Sequence, residues 1–182
     1  MQALVVYESL YGNTREVAEA IAEGVHEARP EATVRCLPVA QAALTEPVDL
    51  LVVGGPTHLH GMTTGLTRRM AAKAESGKAG HTEQAHEAAT TAAGPGLRRW
   101  LHALPDTEPG TPAAAFDTRA DIKHPGGAAE GIARRLSHHH YDVLAEPEGF
   151  IVEETDGPLR SGEIARAKAW GAELARPSRV AQ

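Results

Sequence analysis

The chain has a single cysteine, Cys36, among its 182 residues. One thiol excludes an internal disulfide and any metal knot built from several cysteines. Aromatic side chains are also few, with 2 Trp, 3 Tyr and 2 Phe, so a site that stacks a flat ligand draws on a short list. Basic residues are outnumbered: 18 Lys and Arg stand against 24 Asp and Glu, a formal net charge of −6. A nucleic-acid binder needs a basic face for the phosphate backbone, so nucleic acid is excluded as an expected partner. The acidic balance instead admits a partner protein with a basic docking patch. Long hydrophobic runs are missing too. The run Leu50–Val53 is far short of a membrane span, and Met1–Tyr7 has no basic region of a signal peptide. The expectation is a cytoplasmic protein with no membrane segment.

What is present fits one globular domain. Hydrophobic residues make up 42%, an ordinary soluble fraction. The length suits one domain, expected over residues 1–176 with 177–182 as a tail. Leu4–Tyr7 reads as a buried strand, because a strand covered on both faces is continuously apolar. Asn13 or Thr14 can cap a helix whose stripe is Val17, Ala18, Ile21, Ala22 and Val25, ended by Arg29-Pro30. Thr33–Leu37 reads as a second strand, with a small helix admitted over Val39–Leu44. Asp49–Val53 is the strongest strand signal, stopped by Gly54-Gly55-Pro56.

Helical composition resumes over Gly65–Lys78 and Gly96–Leu104, with a weakly specified Ala79–Ala93 between them and a Pro/Gly loop over Asp106–Pro112. Ala113–Phe116 is a strand candidate leading into Asp117. Ala128, Ala129, Ile132, Ala133 and Leu136 form a helical stripe. Tyr141–Leu144 and Phe150–Val152 are strand pieces split at Pro147. The last helix carries Ile164, Ala167, Gly171 and Leu174 on one face. Strands alternating with helices imply a parallel sheet with helices on both faces.

Three turns carry the chemistry. Ser9-Leu10-Tyr11-Gly12-Asn13-Thr14 lies between the first strand and the first helix. A helix N-terminus offers N–H groups and the positive end of a dipole to a phosphate, and Ser9, Asn13 and Thr14 add short donors. The loop has no Lys or Arg, so a phosphate here would be held by dipoles and hydroxyls. That separates it from the Gly-Lys-Ser/Thr nucleotide loop and from the dinucleotide G-x-G-x-x-G fingerprint. An ordinary capped helix start reads the same way at this level. Gly54–Met62 and Asp117-Thr118-Arg119 follow the third and fourth strands, at the edge where open α/β sheets bind ligands. Three loops on one edge make a crevice.

These residues resemble the flavodoxin family. Ser9–Thr14 is similar to its phosphate loop, Gly54–His58 to the loop after its third strand, and Ala115–Arg119 to the loop after its fourth. Phe150–Val152, Gly157–Leu159, Gly162-Glu163 and Trp170-Gly171 are similar to a bacterial branch of stand-alone flavodoxin domains. The resemblance implies an α/β flavodoxin-like fold, a doubly wound five-stranded parallel sheet in three α/β/α layers. It implies FMN as cofactor and electron transfer as function. Ser9, Leu10, Tyr11, Gly12, Asn13 and Thr14 would take the FMN phosphate. Pro56, Thr57, His58, Leu59, His60 and Gly61 would flank the flavin ring, and Asp117, Thr118 and Arg119 would lie near its pyrimidine or ribityl side. Gly61 is the candidate for a peptide that turns toward the reduced ring, and Arg119 would favour a negative charge on it.

The sequence departs from the family where many members sandwich the ring between Trp and Tyr. No aromatic lies between Thr57 and Gly65 or between Asp117 and Leu136, and His60 stands roughly where one is expected. Two further readings stay open: a flavin reductase of the NAD(P)H:quinone type, and a non-redox interaction module that has lost FMN. His138-His139-His140 reads as a cationic helix end, since consecutive positions do not face one point. His58, His60 and His124 lack an acidic second shell for a metal. Cys36, Trp100 and Trp170 read as packing residues. A phospho-receiver domain would need an Asp where Gly54-Gly55 stands.

Overall fold

A computed structural model describes residues 1–43, 47–58, 61–77, 95–121, 127–154 and 157–176. Strand β1 (Gln2–Tyr7) is followed by α1 (Asn13–Ala28), β2 (Thr33–Pro38), β3 (Leu50–His58), a two-residue β4 (Gly61–Met62) and α2 (Gly65–Gly77). Then come α3 (Leu97–His102), β5 (Thr111–Ala120), α4 (Ala128–His138), β6 (Tyr141–Val143), β7 (Glu148–Val152) and α5 (Glu163–Leu174). The sheet runs β2-β1-β3-β5-β6, all parallel. β7 also pairs parallel with β5, beyond β6 on the same edge, and β4 folds back antiparallel on β3. The expected five-stranded, three-layer α/β/α fold is therefore present, with its fifth strand made in two pieces.

The break in that fifth strand is visible in the register. Val143 faces Ala113, whereas Glu148 faces Phe116. Two residues of β5 thus oppose four of the edge strand, and Pro147 sits where no ladder N–H is required.

The strands explain their own burial. β1 and β3 are closed on both faces, and the period of two sends alternate residues into two cores. Val5, Val52 and Ala114 pack with α1 and α5 on one side. Leu4, Val6, Leu51, Val53, Ala113 and Ala115 pack with α3 and α4 on the other. Phe116, Phe150 and Trp170 meet edge to face, with centroids 6.1 to 6.4 Å apart. Trp100 packs on the second core and donates its indole N–H to the Ala42 carbonyl at 2.6 Å. Cys36 packs against the first core, and burial pushes its thiol up to about 12, with the charge of Glu19 adding to the effect.

Several boundaries differ from expectation. Gly54-Gly55-Pro56 does not stop β3. The strand runs on because β5 keeps offering partners, with Gly54 opposite Phe116 and Pro56 opposite Thr118. Gly54 leaves room for a neighbour: a Cβ there would fall into the Phe116 ring. For the same reason Asp117, Thr118 and Arg119 lie on β5, between β3 and β7, and not in a loop. Pro112 belongs to β5 rather than to the loop before it. In α5 the buried stripe is Ala167, Trp170, Gly171 and Leu174, while Ile164 is exposed.

Residues 39–41 form a turn rather than a helix. Ala79–Ala93, Leu59, His60, His124, Gly126 and the tail 177–182 lie outside the described residues. Among the described residues no helix is long and apolar enough to cross a membrane, and no group of His, Cys, Asp and Glu is placed to hold a metal.

Candidate functional site

The order β2-β1-β3 means that the chain leaves β1 in one direction and returns on its other side. The carboxyl ends of β1 and β3 therefore border a gap that no crossover fills. Ser9 to Thr14 sit at that gap. Gly12 is the residue before α1, at φ 91°, a left-handed conformation that disfavours any residue with a Cβ. The expected cap by Asn13 or Thr14 is corrected here: both are already helical, and their side chains reach elsewhere. The Ser9 hydroxyl accepts the Gly12 N–H at 3.1 Å and shapes the turn. The Asn13 amide donates to the Gly157 carbonyl at 2.7 Å, tying the loop to the segment before α5.

Thr14 reaches across to β5. Its hydroxyl lies 2.7 Å from that of Thr118, and both residues are buried. Two hydroxyls own two hydrogens, and the bond between them uses one. The second has no acceptor among the described residues. A buried donor of this kind is costly to leave unmade, so the chemistry here fits an anion. It lies at the N-terminus of a 16-residue helix, and its donors are neutral. The residues present therefore fit the phosphate of a flavin mononucleotide.

The second and third segments meet around Asp117. This carboxylate is fully buried on β5. Its Oδ2 accepts the Thr57 hydroxyl at 2.8 Å and the Ala129 N–H at 3.0 Å, while the Thr57 oxygen accepts the Ala128 N–H at 2.8 Å. Thr57 and Asp117 thus cap α4, whose Gly127 has no side chain to do so; Glu130 completes the cap on the Gly127 N–H at 2.8 Å. Arg119 Nε lies 3.3 Å from Asp117 Oδ1 as an ion pair, but Oδ1 has no hydrogen-bond donor. Burial pushes the Asp117 carboxyl above the ordinary range, and the Ala129 N–H, Arg119 and Thr57 oppose that rise. Arg119 is hence partly neutralised by its own neighbour.

Pro56 and Thr57 are half-buried on β3, and Gly61 pairs with His58 in the β3–β4 hairpin. Four residues that no motif marked hold this hairpin. Glu8, fully buried just after β1, accepts a short hydrogen bond from the Thr63 hydroxyl and pairs with Arg68 at 3.3 Å. Arg98 of α3 donates to the Met62 and Thr63 carbonyls at 2.9 and 3.1 Å. A carboxylate directly behind an apolar strand was the one available signal. Partners 35 to 60 residues apart leave no local pattern.

The structure thus brings Ser9, Thr14, Thr57, Asp117, Thr118 and Arg119 to one sheet edge. A groove of about 490 Å³ lies elsewhere, between α4 and the β6–β7 link.

Residues 5–93 match the model of the flavodoxin family. A flavodoxin from the domain Archaea is similar in structure, at 21% identity and a TM-score of 0.62, over 96% of both chains. A Streptococcus pneumoniae flavodoxin gives 15% identity and 0.61, over 96% of this chain and 98% of that one. A WrbA-like flavodoxin from Agrobacterium tumefaciens gives 17% and 0.54, over 96% and 94%. The search of curated proteins found no match.

Proposed function

We propose that this chain, whose residues 5–93 match the flavodoxin family model and whose fold is flavodoxin-like, holds FMN and serves as a cytoplasmic electron carrier without a substrate pocket of its own. FMN when bound supplies the redox chemistry, accepting and returning electrons, while the protein positions and tunes it. The observation that carries the reading is the Thr14–Thr118 hydroxyl pair, which has a hydrogen to spare at the start of α1.

Each part has a task. The Ser9–Thr14 turn and the α1 N-terminus bind the phosphate through dipoles and hydroxyls. Pro56, Thr57, His58 and Gly61, with Leu59 and His60, border the ring. Thr118 belongs to both the phosphate end and the β5 wall. The Glu8–Thr63–Arg68 contacts and Arg98 hold the hairpin rigidly against the phosphate turn. Arg119 lends a positive field to the ring's edge, reduced by its pairing with Asp117.

FMN titrated with the flavin-free protein should lose fluorescence in a one-to-one transition. Riboflavin, lacking the phosphate, should bind at least about tenfold more weakly, the effect of about 1.4 kcal/mol. Thr14→Val should weaken FMN binding and leave riboflavin unchanged. A protein that ignores FMN overturns the reading and leaves the interaction module that has lost its cofactor. Steady NADH or NADPH oxidation by the FMN-loaded protein alone would overturn the carrier in favour of a reductase.

A further inference from the structure

The helices divide by charge between the two layers. α1 and α5, on the first core, carry Arg15, Arg166 and Lys168 against Glu16, Glu19, Glu23, Glu27, Glu163 and Glu173. On the other core, where α3 and α4 pack and where Arg68 of α2 lies against Gly96 at the start of α3, the balance is inverted. α2, α3 and α4 carry Arg68, Arg69, Lys73, Arg98, Arg99, Arg134 and Arg135 against only Glu75 and Glu130. A chain of net charge −6 therefore presents one layer of basic helices. We propose that this α2–α3–α4 face is a docking surface for a protein with an acidic face.

Geometry supports this beyond the count. Arg134 and Arg135 converge on Gly131, their guanidinium nitrogens 3.9 and 3.6 Å from the place a Cβ would take there, beside Met62 of the hairpin. Burial lowers the proton affinity of Arg135, and the fields of Arg98 and Arg134 lower it further. Among the described residues no carboxylate stands within ion-pair distance of Arg69, Arg98, Arg134 or Arg135. Like charges held together without counter-charges raise the free energy of the isolated protein, and an acidic partner relieves that. An apolar pair accompanies the charge: Leu66 and Met70, one turn apart on α2 and next to Arg68 and Arg69 in sequence, are 69% and 62% exposed. Exposed Leu and Met beside arginine is the composition of a protein contact rather than of a bare surface. Arg98 also binds the Met62 and Thr63 carbonyls, so the surface borders the hairpin that flanks the site. Total charge alone would select a basic partner; its distribution selects an acidic one at this face.

The test needs no flavin. Flavin-free protein is passed over an immobilised two-iron ferredoxin of plant type, an acidic protein, and over a basic mitochondrial cytochrome c, at low and at moderate ionic strength. Ferredoxin should bind and weaken as salt rises. Arg134→Glu and Arg69→Glu should each weaken it at least about fivefold. Arg176→Glu makes the same change in net charge just beyond α5, on the opposite layer, and should leave it within about twofold. Leu66→Ser should weaken binding without altering the salt dependence. Equal losses for Arg134→Glu and Arg176→Glu, or ferredoxin binding no better than cytochrome c, overturn the proposal. Melting curves of each variant separate lost binding from lost fold. Because binding is read without FMN, a protein that refuses FMN but binds ferredoxin overturns the functional reading and leaves this surface standing.

Discussion

Asp117 shows how much one side chain does at this sheet edge. It caps α4, holds Thr57 and pairs with Arg119, all from a fully buried position. Burial outweighs those stabilising neighbours and raises its pKa. The folded protein consequently holds that proton more tightly than the unfolded chain, whose Asp titrates near ~3.9. The stability this confers is full below that pH and is lost as pH rises through the folded value. Above it the carboxylate is ionised in both states, and folding carries its desolvation cost. In Asp117→Asn the amide oxygen can still accept from Thr57 and Ala129, but nothing titrates. Melting temperatures of the two proteins, compared from about pH 4 to 7, should therefore diverge in the variant's favour as pH rises. Parallel curves would mean that Asp117 is already ionised at pH 4. The sequence marked Asp117 by its place after an apolar strand, but as a ligand neighbour in a loop. Its capping role was hidden because Thr57 and Ala129 are 60 and 12 residues away.

At the scale of elements, the closest packing is between α1 and α5 behind the sheet. A Cβ on Gly171 would run into the Ile21 carbonyl, and one on Gly24 into that of Lys168. The two helices therefore touch backbone to backbone, and Lys168 adds salt bridges to Glu23 and Glu27 at 2.8 Å each. Exposed ion pairs of that kind contribute little; the glycine contact sets the distance. Gly171→Ala forces the helices apart and should cost about 1–3 kcal/mol, read as a lower urea midpoint with an unchanged slope. A variant as stable as the parent would show that the pair is loosely packed. The sequence placed Gly171 on the buried stripe of α5 and read Trp170 as a packing residue, but it also counted Ile164, which is exposed, on that stripe. Periodicity locates a stripe and leaves its centre uncertain by a residue. The same limit explains β3 and β5. Gly54-Gly55-Pro56 is a stop signal by composition, and only the partner strand, with Phe116 filling the space over Gly54, keeps it extended.

For the whole molecule, composition proved least informative where it averages. Fold class and the place of the Ser9–Thr14 turn before α1 were legible because apolar strand runs, helix stripes and short turn motifs are local patterns. The charge layering was not, since a sum of −6 erases the difference between faces. Nor were the Glu8–Arg68 and Arg98 contacts, which depend on tertiary approach. The same long-range contacts give the molecule a way to register a ligand bound at this sheet edge. The turn after β1 is bound to β5 by Thr14 and Thr118, to the hairpin by Glu8 and Thr63, and to the segment before α5 by Asn13. A phosphate that accepted the spare hydroxyl hydrogen would sit at the meeting point of these bonds. A ligand that binds only the folded state should therefore stabilise the domain as one unit. At a free FMN concentration of about 100 times Kd the gain is about 2.7 kcal/mol, a rise in Tm of roughly 5–10 °C for a domain of this size. Riboflavin at the same concentration should give much less, because it lacks the phosphate proposed for the turn. Thr118→Val should remove most of the FMN shift, although it lies more than a hundred residues from the turn in sequence. Equal shifts from FMN and riboflavin would place the ligand's hold on the ring instead, and would separate the phosphate turn from the stability of the fold.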